Sequence, residues 1–155
     1  IRELRARQLL GPQAPLLVQC FEAAPLARVR EQAGVRVTLL SVDLPALDAH
    51  AVDGYGVSKQ ALQSADGAAF IAAAHARGRY VHAYTFRDDQ LPPDQSAVEE
   101  ALRAYAAGCD ALFSDFPATA LRARKRWQRE GAAAPGLEVR AVSGAGGGRS
   151  NHRSP

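Results

Sequence analysis

The sequence predicts an α/β fold in which a parallel sheet is covered by helices. Short apolar runs of strand length alternate with longer segments whose apolar residues recur at helical spacing. Glycine stands where several of these helical segments stop, as at Gly34, Gly78 and Gly108. Such alternation is typical of parallel sheets with right-handed crossovers. At 155 residues, with 47% apolar and 23% charged residues, the chain is long enough for one globular domain.

The first part of the chain predicts two helices and two strands. A helix is predicted over residues 1–10, where apolar residues recur among arginines before a Gly-Pro pair. The apolar run Leu16–Phe21 predicts the first strand. Pro25 and the stop at Gly34 bound a second helix, and the β-branched run Val37–Ser41 predicts the second strand.

The strand predicted at residues 80–86 is the centre of the fold, because it alternates along its length and runs into a charged, proline-containing loop. One set of alternate side chains is large and partly polar and is predicted to point inward: Tyr80, His82, Tyr84 and Phe86. The other set is smaller and is predicted to pack against helices: Val81, Ala83 and Thr85. A partly polar inner face that meets a loop at the carboxyl end of a strand indicates a pocket.

The remaining segments bring the prediction to four strand-and-helix units. In order, they are a loop with a short extended piece at Gly54–Val57, a helix over 66–77, the strand 80–86, a loop over 87–94, a helix over 96–107 that starts with a capping-box spacing, the strand Ala111–Ser114 and a helix from Pro117. Residues 131–155 are rich in Gly, Ala, Ser and Arg without an apolar period. We therefore predict a domain over residues 1–130 and a flexible basic tail over 131–155.

Two architectures cover both faces of a parallel sheet. One is an open doubly wound sheet, and the other is part of an eight-stranded barrel, whose usual size is about 250 residues. Four units would make half of such a barrel. The sequence contains no Met, which we interpret as a sign of processing or of a piece of a longer protein.

Charge is distributed unevenly along the chain. Residues 1–121 carry 11 Lys/Arg against 14 Asp/Glu, and residues 122–155 carry 8 against 2. A basic end on a mildly acidic domain is typical of a solvated terminus, so we predict no nucleic-acid partner. No apolar run reaches the ~18 residues of a membrane span. Cys20 and Cys109 fit packing roles, and because the four histidines show no metal-ligand spacing we predict no metal site in this chain.

Four segments stand out together: Leu17–Phe21, Asp53–Ser58, Val81–Arg87 and Leu112–Pro117. In this order and spacing they resemble the carboxyl-terminal half of the glycerophosphodiester phosphodiesterase family, over about residues 16–127. The resemblance implies the C-terminal half of a TIM (βα)8 barrel. It also implies a hydrolase that converts glycerophosphodiesters to glycerol 3-phosphate and an alcohol. The loop over 87–92 is similar to the bacterial periplasmic branch, which would imply a periplasmic location.

The resemblance further implies which parts of the enzyme lie elsewhere. In the family a divalent cation, calcium or magnesium, neutralises the phosphate while two histidines transfer protons. The family's His-Arg-Gly block, Glu-x-Asp pair and second histidine have no counterpart in this sequence. We therefore expect the metal and the catalytic residues in the complete enzyme, and neither in this chain alone.

What the chain supplies, by the same resemblance, is a wall of the substrate pocket. The predicted substrate-binding residues lie at or near the carboxyl ends of strands: Gln19, Phe21, Tyr84, Phe113 and Asp115. For Asp115 a helix cap is the competing interpretation. We interpret His82, which lies deeper on the inner face, as a core histidine rather than a catalytic one. Asp88 and Asp89 are interpreted as solvated loop residues.

Three functional hypotheses follow. The leading one is a fragment of a glycerophosphodiester phosphodiesterase that binds a small-molecule glycerophosphodiester, with the catalytic centre on a missing N-terminal half. The second is a non-catalytic half-barrel that associates with itself or another chain, because open sheet edges invite pairing. The third is a free-standing doubly wound sheet with a ligand at its switch point, although no glycine-rich phosphate loop follows any predicted strand.

Overall fold

A computed structural model of the chain describes residues 1–131. Its elements are α1 Arg2–Ala6, β1 Leu17–Cys20, α2 Ala23–Ala33, β2 Arg36–Ser41, β3 Gly54–Ser58, α3 Lys59–Leu62, α4 Gly67–Ala76, β4 Tyr80–Phe86, a 3-10 turn Asp88–Gln90, α5 Ala97–Ala106, β5 Ala111–Ser114 and α6 Pro117–Gly131. The predicted basic tail over 131–155 lies outside the described residues, apart from Gly131, which is the last residue of α6. Among the described helices, none is both long and apolar enough to cross a membrane.

The sheet contains five strands in the order β1-β2-β3-β4-β5, and every neighbouring pair is parallel. Each crossover therefore steps in the same direction around the sheet. A doubly wound sheet reverses direction at a switch point, so the observed order excludes that alternative. Strands β1 and β5 are the two edges and do not pair with each other, which leaves the curled sheet open. The predicted α/β half-barrel is confirmed, with one strand more than expected.

The additional strand, β3, lies where a loop with a short extended piece was predicted. All five of its residues are buried, and it pairs with β2 on one side and β4 on the other. Its glycines lower β propensity and so hide the strand in the sequence. They are required by packing, because a Cβ on Gly54 would lie 2.2 Å from the Tyr80 ring and one on Gly56 would lie 2.5 Å from Leu40.

One face of the sheet packs against the helices and forms the main core. Its strand residues are Val37, Leu39, Tyr55, Val57, Val81 and Ala83, and the helices contribute Leu26, Ile71, Ala74, Ala101 and Ala123. We call the opposite face of the sheet the inner face. There the Tyr80 hydroxyl lies 2.7 Å from the hydroxyl oxygen of Thr38, and its ring lies against Gly54.

Strand β4 changes faces near its carboxyl end. Its pairing with β5 shifts register between Ala83 and Phe86, which is the mark of a β-bulge. Phe86 is consequently buried in the main core, with the Lys59 ammonium 5.3 Å from the centre of its ring. The prediction that Phe86 points inward with Tyr84 is wrong. The prediction that Thr85 packs against the helices is also wrong, because Thr85 lies beside Tyr84 on the inner side.

Two aspartates, each just before a strand, form the same pair of hydrogen bonds with a residue of the preceding strand. Asp53, just before β3, accepts a hydrogen bond from the Val37 N–H of β2 at 2.8 Å. Asp110, just before β5, accepts one from the Val81 N–H of β4, also at 2.8 Å. In both cases the aspartate's own N–H donates to the carbonyl of the same partner, at 3.0 and 2.9 Å. These paired contacts fix the register of β2 against β3 and of β4 against β5.

Most helix boundaries follow local signals, but α3 is a helix that the sequence did not predict, and two further elements differ from the prediction. As predicted, Gly34 ends α2 in the left-handed conformation, and the Ser96 hydroxyl accepts from the Glu99 N–H at 3.4 Å at the start of α5. The first helix is shorter than the predicted 1–10 and covers Arg2–Ala6. The loop after β4 contains one 3-10 turn that the polar, proline-containing sequence did not indicate.

Candidate functional site

A cavity of about 460 Å³ lies on the inner face at the carboxyl ends of the strands. Its lining comes from four strands and the residues that directly follow two of them: Gln19, Phe21, Leu40, Tyr84, Thr85, Phe113, Ser114 and Asp115. All five predicted substrate-binding residues therefore lie around one cavity. Their part in binding substrate remains a prediction.

The β1 wall of the cavity follows from strand alternation. Val18 and Cys20 pack against the main core, so Gln19 and Phe21 point toward the inner face. Because β1 is an edge strand, Phe21 remains 58% exposed. The edge of its ring meets the Tyr84 ring with centroids 6.0 Å apart and planes at 84°. This contact joins the edge strand to β4 across the mouth of the cavity.

Tyr84 is held in place by its hydroxyl group. The hydroxyl donates to the Ser41 carbonyl at the end of β2, at 2.8 Å. Burial raises the pKa of the Tyr84 phenol, and the nearby carboxylate of Asp43 raises this pKa further. The neutral phenol is therefore favoured, and it donates a hydrogen bond to the backbone.

His82 lies deeper on the inner face than Tyr84, between two aromatic rings. The Tyr80 ring stacks on it with centroids 4.7 Å apart, and Phe113 meets it at 5.8 Å with planes at 65°. Burial lowers the pKa of the His82 imidazole, so the uncharged ring is favoured. His82 is not among the residues that line the cavity. Its position fits the interpretation as a core residue that supports Phe113.

Asp115 borders the cavity and forms an ion pair at its rim. Its carboxylate accepts a hydrogen bond from the Arg87 guanidinium at 2.5 Å. Helix α6 begins two residues later at Pro117, and the Phe116 N–H donates to the Ser114 hydroxyl at 3.0 Å. The structure thus does not support the cap interpretation of Asp115. The carboxylate instead ties the turn after β5 to the loop after β4.

The loop after β4 is held by its charged residues, and of the two aspartates predicted to be solvated, Asp89 is exposed whereas Asp88 is half-buried. Arg87 donates two hydrogen bonds to Asp89, at 3.1 and 2.9 Å, and these bonds lower the pKa of the Asp89 carboxyl. Asp88 accepts from the hydroxyl of Thr119 in α6 at 2.6 Å. Sequence reasoning missed Arg87 as a residue of the rim, although it belongs to one of the four segments that carried the resemblance.

No cluster of three or more His, Cys, Asp or Glu side chains that could hold a metal occurs within residues 1–131. Asp115, the one charged residue among those lining the cavity, is paired with Arg87. The residues that line the cavity within 1–131 therefore do not fit a divalent cation.

Comparison with known proteins identifies the family. The family model for glycerophosphoryl diester phosphodiesterases matches residues 4–119. The chain belongs to the glycerophosphoryl diester phosphodiesterase family. A search of curated proteins gave no match. The sequence resemblance to this family, which rested on four short segments, is confirmed.

Solved structures show the fold of this glycerophosphoryl diester phosphodiesterase family member. A protein from Silicibacter pomeroyi, assigned provisionally as a glycerophosphoryl diester phosphodiesterase, is 17% identical with a TM-score of 0.60, over 81% of this chain and 41% of its own. A phosphodiesterase from Oleispira antarctica, in complex with the product sn-glycerol-3-phosphate, is 20% identical with a TM-score of 0.61, over 79% of this chain and 47% of its own. The chain thus spans less than half the length of these structures.

Proposed function

We propose that this chain is the substrate-binding half of a glycerophosphodiester phosphodiesterase, which hydrolyses a glycerophosphodiester to glycerol 3-phosphate and an alcohol. The proposal rests mainly on the cavity at the carboxyl ends of the strands, where TIM-barrel enzymes place their active sites. Membership of the family supports the reaction class. The structural relative solved with sn-glycerol-3-phosphate supports the product.

The lining of the cavity suits a small polyol. Its volume of about 460 Å³ lies within the range of small-molecule sites. The rings of Phe21, Tyr84 and Phe113 offer apolar surface for the carbon atoms of a glycerol unit. Gln19 adds an amide that can both donate to and accept from a hydroxyl group.

The same lining lacks what a phosphate needs. The charged residue that it contains, Asp115, is an anion, and anions oppose the binding of phosphate. Arg87 at the rim is the nearby cation, and it is already paired with Asp115 and Asp89. We therefore infer that the phosphate is neutralised by groups outside residues 1–131. This supports a second half that carries the catalytic histidines and the divalent metal, calcium or magnesium, of the complete enzyme.

The open side of the sheet supports a missing partner. Leu17 and Phe21 on the inner side of β1 are 37% and 58% exposed. Closure of the barrel by further strands would bury such side chains and pair the free edges of β1 and β5. The partner that we propose is an N-terminal half-barrel, within the same polypeptide or on another chain.

The test is an assay of the purified 155-residue chain on glycerophosphocholine with calcium or magnesium. We expect no release of glycerol 3-phosphate from the chain alone. Release is expected when the chain is joined to the segment encoded upstream, and that segment should contain a His-Arg-Gly strand. Metal-dependent release of glycerol 3-phosphate by the isolated chain would show that the catalytic residues do not all lie in the N-terminal half. Absence of release from the joined protein would contradict the reaction itself.

A non-catalytic half-barrel that pairs with itself is the second candidate, and the free edges of β1 and β5 favour it. Analytical ultracentrifugation distinguishes the two candidates. A stable dimer that is unaffected by the upstream segment would favour self-association. Oligomers of the isolated chain that are replaced by a one-to-one complex with the upstream segment would favour the enzyme.

A further inference from the structure

A second, larger groove lies on the helical side of the molecule, away from the inner face. Its volume is about 1010 Å³, and it runs along α6 beside the start of α5. Its lining is basic apart from one valine and one amide: Val98, Arg122, Lys125, Arg126, Gln128 and Arg129. The proposed hydrolase function uses none of these residues.

Three of the cations in this groove lack an acidic partner within the described part of the chain. Arg126 is neutralised, because it pairs with Glu99 and with Glu130. For Arg122, Lys125 and Arg129, by contrast, no ion pair occurs among residues 1–131. Their spacing of three and four residues places them on one side of α6. We call these three residues the basic row.

Apolar surface accompanies the basic row. Leu121 on α6 is 53% exposed, and Val98 lines the groove from α5. Helices that lie on membrane surfaces combine cations with exposed apolar side chains, and α6 shows the cations together with one such side chain, Leu121. The basic row also lies in the part of the sequence where positive charge is concentrated, since residues 122–155 carry 8 Lys/Arg against 2 Asp/Glu.

We propose that the α6 face docks this protein on the surface of an anionic lipid bilayer. Each Lys or Arg near such a surface strengthens binding by roughly fivefold, so the three cations of the basic row should contribute roughly 100-fold. Leu121 would insert among the lipid head groups. The inference is independent of the proposed reaction, because it uses no residue of the cavity.

Nucleic acid fits this surface less well. Single-stranded nucleic acid is bound by cations interleaved with aromatic stacking platforms, and the residues that line the groove include no aromatic one. The nearby Trp127 stacks on Tyr105 of α5 with ring centroids 6.3 Å apart and is thus already engaged. The described domain before α6 also carries more acidic than basic residues, which would repel a polyanion that wraps around it.

The basic row adjoins the loop that borders the candidate site. Arg122 donates to the Thr119 hydroxyl at 2.9 Å, and that hydroxyl donates to Asp88 at 2.6 Å. Asp88 follows β4 in the loop that Arg87 ties to the cavity rim. Docking through α6 would therefore hold this loop beside the lipid surface.

The experiment is co-sedimentation of the 155-residue chain with lipid vesicles. We expect binding to vesicles that contain phosphatidylglycerol and none to vesicles of phosphatidylcholine alone, with binding that weakens as salt is added. Equal binding to both kinds of vesicle, or to neither, would overturn the proposal. Tighter binding to a single-stranded RNA than to the anionic vesicles would also overturn it.

A charge-reversal variant locates the surface. The triple variant Arg122→Glu, Lys125→Glu and Arg129→Glu should lose at least 100-fold in vesicle affinity, by roughly fivefold or more per cation. The matched control reverses the same number of exposed arginines on α1 and at its C-terminal cap: Arg2→Glu, Arg5→Glu and Arg7→Glu. The control should keep most of the binding. A control that loses as much as the basic-row variant would mean that net charge rather than this face is responsible.

A milder pair of variants covers the case in which charge reversal disturbs folding. Replacement of the basic row by glutamine should reduce binding, whereas Arg122→Lys with Arg129→Lys should retain it, because a bilayer recognises charge rather than guanidinium geometry. Circular dichroism verifies that each variant is folded. Loss of binding in the lysine variant would contradict docking on lipid and would favour a specific protein or anion site.

Discussion

Tyr84 connects three strands at the rim of the cavity. It lies on β4, its hydroxyl donates to Ser41 at the end of β2, and its ring touches Phe21 after β1. Alternation along β4 was sufficient to predict its inward direction. The hydrogen bond to Ser41 could not be predicted, because it depends on how the carboxyl end of a separate strand is placed.

Substitution Tyr84→Phe removes only the hydroxyl group. The Ser41 carbonyl then loses its donor, and we expect the free energy of unfolding to fall by about 0.5–1.5 kcal/mol. Urea denaturation measures the change. Tyr80→Phe is a comparison on the same strand, where the lost partner is the buried Thr38 hydroxyl, and it should cost at least as much. An unchanged midpoint for Tyr84→Phe would show that water replaces the phenol at Ser41.

The two cysteines should differ in reactivity. Cys109 is buried, and burial together with nearby Asp110 raises the pKa of its thiol to about 11. Cys20 is half-buried at the end of β1. At pH 8 we expect a thiol reagent to modify Cys20 in the folded protein and Cys109 only after unfolding, because the thiolate is the reactive form. Mass spectrometry after brief labelling tests this, and rapid labelling of Cys109 would contradict its burial.

The rim ion pairs predict a dependence of stability on pH. Hydrogen bonds from Arg87 lower the pKa of Asp89 below its ordinary 3.8 in the folded protein. The stabilisation that these hydrogen bonds give is fully present above the pKa that Asp89 has in the unfolded chain. It is lost as the pH falls through the lower pKa of the folded protein. Asp89→Asn should therefore reduce the loss of stability below pH 4. Thermal melts between pH 3 and 7 compare it with Asp94→Asn, for which no such contact occurs within residues 1–131.

At the scale of elements, β3 shows what the sequence could not reveal. Its glycines reduced the strand signal, yet they face the large side chains of Tyr80 and Leu40 on neighbouring strands. The need for glycine therefore lies in tertiary packing between segments far apart in sequence. The same reason accounts for Phe86, whose direction is set by the register shift against β5. Segments whose signal is local, such as α2 and α5, were predicted correctly.

Gly54→Ala tests the packing of β3 directly. The added Cβ would lie 2.2 Å from the Tyr80 ring, which is too close for any side chain. The ring must move away from Thr38, and we expect a loss of about 1–3 kcal/mol in the free energy of unfolding. Gly131→Ala is the control, because a Cβ there meets nothing within 4 Å. A Gly54→Ala protein as stable as the parent would contradict the close approach of β3 and β4.

A buried ion pair joins α3 to α5. Lys59 and Glu100 lie 2.9 Å apart with side chains 12% and 7% exposed. Lys59→Ala leaves Glu100 buried and unpaired, and we expect a loss of about 3–5 kcal/mol. The double variant Lys59→Met and Glu100→Leu should recover most of this loss, because neither charge then remains. A double variant as unstable as the single one would indicate a further role for the pair.

For the whole molecule, the open sheet is the feature that relates fold to function. The spacing of the segments left a doubly wound sheet and a half-barrel open, the family resemblance implied the half-barrel, and the sheet order confirms it. Strand alternation agreed with the inward direction of Gln19, Phe21 and Tyr84, but it placed Thr85 on the wrong face. The contacts of Arg87 and Asp88 with the last strand-and-helix unit could not be predicted. Long side chains that bridge separate loops leave no periodic signal in a sequence.

The exposed inner face predicts a tendency to associate. Without a second half-barrel, we expect concentration-dependent oligomers in sedimentation, driven by Phe21 and Leu17. Replacement of both residues by serine should shift the chain toward the monomer. Leu121→Ser, on the opposite side of the molecule, is the control and should leave association unchanged. Oligomers that persist in the inner-face variant would indicate contact through the strand edges alone.

The strict succession of strands has a consequence for how the chain acquires its shape. Each strand pairs with the one synthesised just before it, so every ladder can close as soon as the next segment leaves the ribosome. Within the described residues, no strand pairs with a strand that is not its direct neighbour in the sequence. Because only consecutive strands pair, no ladder skips a strand, and the edges of β1 and β5 stay available for pairing with further strands.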